Sequence, residues 1–133
     1  MDTWPPPDPS GWRQISLPAE RLAVALRELY GFYRVAGPGL LIIMRDAPML
    51  RPELRPRPSR ADLLRAMTAV LLEGWGVRGR RREVLQAVIA HATSVDTWHS
   101  LIEQQGLTDQ EAIRVLATMV GDAAGRSQRG KSV

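Results

Sequence analysis

Apolar residues along this chain recur at steps of three and four with polar residues between them, the period of helices that each bury one face. Over residues 16–35, Leu22, Leu26, Leu29, Tyr30 and Tyr33 fall on one side, and Glu20, Arg21, Arg27, Glu28 and Arg34 face out. Ser16 and Pro18 supply a start signal, and Gly37, Pro38 and Gly39 predict the end of this helix. The run 40–46 is too uniformly apolar at its start for a surface helix. It reads as a short buried helix; a strand is less favoured, because no second alternating segment exists to satisfy its backbone. Pro48, Pro52, Pro56 and Pro58 then allow at most one short turn. Ser59 is the expected cap of the next helix, whose buried stripe is Leu63, Leu64, Met67, Val70, Leu71 and Trp75, with Gly74, Gly76 and Gly79 around its end.

Residues 80–120 read as a helical hairpin. In its first arm Val84, Val88, His91, Val95, Trp98 and Ile102 make a stripe that Leu85, Ile89, Ala92 and Leu101 widen. Gly106 closes that arm, and Thr108 with Glu111 has the T-x-x-E form of a capping box at the start of the second. There Ile113, Leu116 and Val120 form one seam, and Ala112, Val115, Met119 and Ala123 an adjacent one. Both arms carry apolar surface on two sides, which predicts that one neighbour is a second copy of the chain. The pattern therefore predicts an all-α bundle of four or five main helices and one or two short ones.

Length and composition add limits. At 133 residues the chain fits one domain, with a Pro-rich arm over 1–15, a helical domain over 16–124 and a basic tail over 125–133. Trp4 and Trp12 either pin the arm to the body or leave it loose. Hydrophobic residues at 44% and charged residues at 24% are globular values, so wholesale disorder is not expected. With no cysteine there can be no disulfide and no thiolate nucleophile or metal ligand. No apolar run reaches the roughly 20 residues of a membrane span, and the N-terminus lacks the form of a signal peptide, so a cytoplasmic protein is expected. The net charge of +4 looks like a nucleic-acid signal, but Arg126, Arg129 and Lys131 in the tail account for three of those charges.

Candidate chemistry is sparse. His91 and His99 lie eight residues apart, about 12 Å along a helix, too far to chelate one ion, and no P-loop, metal or cofactor motif is present. An enzyme is not expected. Tyr30, Tyr33, Trp75, His91, Ser94 and Trp98 fall on or beside apolar faces, near Met44, Met67 and Leu71. Apolar walls with a few hydrogen-bonding tips are how small-molecule pockets are lined, yet core residues that satisfy one another give the same pattern.

The succession ERLAVALRELYGFYR, MRDAPML and EGWGVRGRRREVLQAVIAHATSVDTWHSLIEQQGLTDQEAIRVLATMV resembles the C-terminal, effector-binding half of TetR-type transcriptional regulators over about residues 8–124. Its most distinctive part is Thr97-Trp98, followed by Leu101, Gly106-Leu107, Asp109 and Glu111. The resemblance implies a homodimer whose last two helices form an intermolecular four-helix bundle through Leu101, Ile102, Ile113, Leu116, Met119 and Val120. It also implies a cavity for a small hydrophobic or aromatic effector, lined by Tyr30, Tyr33, Met44, Met67, Leu71, Trp75, His91, Ser94 and Trp98. A complete member has a helix-turn-helix domain ahead of this region, so specific DNA binding is not expected of these residues. The other reading is a stand-alone dimerisation or protein-interaction module without a ligand.

Overall fold

A single helical turn, α1 (Pro9–Trp12), opens the described part of the chain, with the Asp8 carboxylate accepting the Ser10 N–H at 3.0 Å. The computed structural model describes residues 7–46, 53 and 60–125, without the side chains of 43, 44, 46, 60 and 61. Expectations for Trp4, for Ser59 and the Pro-rich segment, and for the tail from 126 lie outside the described residues. Trp12 is buried, and its indole N–H donates to Glu28 at 2.9 Å, so this end of the arm is pinned to the next helix.

That helix, α2 (Pro18–Asp46), runs for 29 residues straight through Pro38, where the sequence predicted a break. Pro38 cannot donate to the carbonyl of Arg34, a loss of about 3 kcal/mol in an isolated helix. Apolar packing on both sides of it outweighs that loss. Tyr33 is buried, and Leu40 and Leu41 pack against the same core. The short buried helix expected over 40–46 is thus the last part of α2.

The helices α3 (Arg60–Leu72) and α4 (Gly79–Ala92) follow, joined through Gly74 at φ +88°, a left-handed conformation that glycine adopts without a Cβ clash. The hairpin's first arm is not one helix. Thr93 turns its hydroxyl back onto the Ile89 carbonyl at 3.1 Å, and the Ser94 hydroxyl accepts from Asp96 N–H at 3.0 Å, so the chain stops and restarts as α5 (Val95–Trp98). Hydroxyl side chains compete with the helical ladder in this way. A six-residue π-helix, His99–Gln104, continues directly from α5.

The last helix, α6 (Asp109–Ala123), has the expected capping box: Thr108 Oγ1 accepts from Glu111 N–H at 3.1 Å and Glu111 Oε1 accepts from Thr108 N–H at 2.9 Å. These bonds hold the Glu111 carboxyl below the usual carboxylate range. Thr108→Ala should lower stability by about 1 kcal/mol, read as the shift in a urea midpoint at constant slope.

Arg81, in the first turn of α4, stands beside Gly125 just beyond α6, so α4 and α6 run antiparallel. α2 lies against α5 and α6, α3 packs on α4, and α1 closes over α2 and α3. No strand occurs among the described residues, and the fold is an all-α bundle. Leu22, Leu26, Leu29, Leu71, Leu85, Ile89, Leu116 and Val120 form its centre, none more than 2% exposed. Among the described residues no helix is long and apolar enough to cross a membrane.

One polar residue belongs to this interior. Arg21, expected to face out, is 6% exposed. Its guanidinium donates to the carbonyls of Trp12 at 3.1 Å, Ile15 at 2.8 Å, Val70 at 3.3 Å and Glu73 at 3.0 Å. It therefore adds a donor to the carbonyls of Trp12 and Val70, which also accept the N–H groups of Ile15 and Glu73, and supplies one to the carbonyls of Ile15 and Glu73 at the chain turns after α1 and α3.

Candidate functional site

Tyr30 and Tyr33, one turn apart on α2, reach the end of α4. Their hydroxyls donate to the carbonyls of Ala92 at 2.9 Å and Thr93 at 2.7 Å. Burial, with smaller contributions from Tyr33 and Asp109, pushes the Tyr30 hydroxyl's pKa well up, so it stays a donor. Both tyrosines thus tie α2 to α4. Beyond them the Trp98 ring lies 6.2 Å from the Tyr33 ring, centroid to centroid, and its six-membered edge rests on Gly37. A Cβ at Gly37 would come within 2.5 Å of that ring. The glycine expected to end a helix instead lets α5 approach α2.

At this junction the hydrogen bonding is incomplete. Trp98 Nε1 and His99 Nδ1 are buried without a hydrogen-bond partner. Asp109 Oδ1 lies 2.5 Å from the Arg34 guanidinium as a charge pair but is not aligned for a hydrogen bond.

The residues expected to line one cavity are divided. Trp75 is buried and donates to the Leu71 carbonyl at 2.8 Å, next to the turn that precedes α4. Tyr30 and Tyr33 engage the far end of α4, roughly 20 Å away for a helix of 14 residues. Leu71 is fully buried and Met67 half-buried against the core. Ser94 is the cap of α5. His91, expected to face inward, is exposed: Leu85, Ile89 and Ala92 are the buried face of α4, and His91 lies on its flank with Val84 and Val88. The Met44 side chain lies outside the described residues.

The seam expected to meet a second copy is divided too. Ile113, Leu116 and Val120 are 9%, 2% and 0% exposed and face the chain's own core, and Leu101 and Ile102 are half-buried against it. Met119 remains outside at 43%, with Val115 at 47% and, on α4, Val84 at 40%. Each helix of the antiparallel pair therefore leaves large apolar side chains exposed, and on α6 Val115 and Met119 lie one turn apart. Sequence periodicity identified both seams of α6 but could not say which one the chain covers itself.

Among the described residues no group of three or more His, Asp or Glu comes together. The chain matches no protein-family model, no curated protein and no solved structure.

Proposed function

We propose that these helices are the effector-binding and dimerisation domain of a TetR-type regulator, a homodimer that takes up a small hydrophobic or aromatic molecule. The observation that carries the reading is the exposed edge of α6, where Met119 and Val115 one turn away stand in water on a helix that the family resemblance places at the dimer contact, with Val84 also exposed on α4. Two antiparallel helices, doubled by a twofold axis, make a four-helix bundle, and such an interface presents the same patch on both subunits.

Sedimentation equilibrium at tens of micromolar should give a dimer. Met119→Glu should shift it to monomer without loss of helical circular dichroism, because a charge buried in the interface is costly while the same residue on a monomer is solvated. A wild-type monomer, or a dimer indifferent to Met119→Glu, would remove the basis of the reading.

A second reading, a dimerisation or protein-interaction module without a ligand, has support of its own. Tyr30, Tyr33 and Trp75 donate to backbone carbonyls and leave fewer polar tips for a guest. Trp98 favours the first reading, because its N–H is buried and unused.

A further inference from the structure

We propose that the junction of α2, α5 and the π-helix binds a small, uncharged, largely apolar molecule by a hydrogen-bond acceptor, most simply a carbonyl oxygen, that takes the N–H of Trp98. This rests on the effector-binding reading and supplies its chemistry. Among the described residues the buried side-chain polar atoms that lack a hydrogen-bond partner are Trp98 Nε1, His99 Nδ1 and Asp109 Oδ1. The Asp109 oxygen is held by the Arg34 guanidinium as an ion pair, so the unmet groups are those of Trp98, on Tyr33 and Gly37, and His99, beside Trp98 with ring centroids 6.5 Å apart. The other buried aromatic donors among the described residues, those of Trp12, Tyr30, Tyr33 and Trp75, all have acceptors. A buried donor left unpaired costs about 1–3 kcal/mol, and here the deficit is confined to one place.

The chemistry of these atoms selects the ligand. An indole N–H only donates, so the missing partner is an acceptor. Gly37 seats the six-membered edge of Trp98, which turns the Nε1 edge away from the α2 backbone. The charge pair of Arg34 and Asp109 leaves neither charge free: an anion would meet the Asp109 carboxylate, and a cation would have to displace Arg34. The guest is therefore neutral. The π-helix begins at His99, immediately after Trp98. Six residues in this conformation are rare and concentrate at functional sites, because the wider turn is locally less favourable than an α-helix and is kept for what it positions.

Titration of the full chain with acetophenone and with ethylbenzene, close in shape but lacking an acceptor, tests this directly. Acetophenone should bind about tenfold more tightly, the factor that one net hydrogen bond supplies. The Trp98 indole proton should move in the NMR spectrum with acetophenone and not with ethylbenzene, and Trp98→Phe should abolish the preference. The wild-type indole proton decides the matter even if the variant does not fold. Equal affinities, or an unmoved indole proton because a resident water already accepts from it, would overturn the proposal while leaving effector binding in place. Failure of both probes to bind up to their solubility would overturn it together with the effector-binding reading.

Discussion

Arg21→Met should lower the unfolding free energy by about 2–5 kcal/mol, because the carbonyls of Ile15 and Glu73 lose their donor at about 1–3 kcal/mol each. The methionine chain fills most of the volume of the arginine stem, so the loss would come from hydrogen bonds rather than from a cavity. The carbonyls of Trp12, Ile15, Val70 and Glu73 would all lose a donor in the interior. Arg21→Lys should recover only part, since one ammonium cannot span carbonyls from three segments as a planar guanidinium does. Urea unfolding of the three proteins measures this. A difference below 1 kcal/mol for Arg21→Met would mean that water replaces the guanidinium at little cost. The exposed pair of Arg13 and Glu73 at 3.0 Å, close to the same turn, is the contrasting case: both side chains are about half exposed, and surface pairs of this kind contribute little.

Leu116→Glu should unfold the monomer rather than merely part a dimer. Leu116 is 2% exposed within the chain's own core, so the substitution removes a buried leucine and puts a carboxylate in its place. Losing the leucine packing alone costs about 2–5 kcal/mol, and an unpaired buried charge adds to it. The measurement is circular dichroism and thermal unfolding of Leu116→Glu beside Met119→Glu. The first should lose its cooperative transition and the second keep it. A folded, monomeric Leu116→Glu protein would show that the seam of Ile113, Leu116 and Val120 meets a partner instead. The contrast separates two stripes on one helix that lie less than a quarter-turn apart.

The dimer proposal survives the assignment of that seam to the interior only because α6 has a second apolar edge. Val115 and Met119 stand four residues apart, and Val84 is exposed on the neighbouring helix. Amphipathic periodicity counts apolar faces without saying what covers them, so the sequence alone leaves either stripe of α6 open to a partner. The buried tryptophans show the same limit of local pattern. Trp75 and Trp98 are both buried and aromatic, yet the first completes its hydrogen bonding within its own turn and the second does not. Nothing in the local sequence around either tryptophan distinguishes them.

What the amino-acid order determined by itself was the helical class, the amphipathic faces of α2 and α6, the T-x-x-E cap at Thr108 and the turn at Gly106, whereas Leu63 of the stripe expected on α3 is 48% exposed. Each depends on residues within a turn or two of one another, so each is written in the local pattern. Only the tertiary structure decided that α2 passes through Pro38, that the arm before Gly106 breaks at Thr93, that Arg21 is interior and that Leu116 rather than Met119 is covered. At Pro38 and Arg21, contacts between residues distant in the chain outweigh a local preference of a few kcal/mol; at Thr93 the side-chain hydroxyls break the helix locally, and on α6 neighbouring helices select one of two apolar stripes. The Trp98 ring on Gly37, the Tyr30 and Tyr33 hydroxyls on the end of α4 and the Arg21 guanidinium on the end of α3 are those contacts.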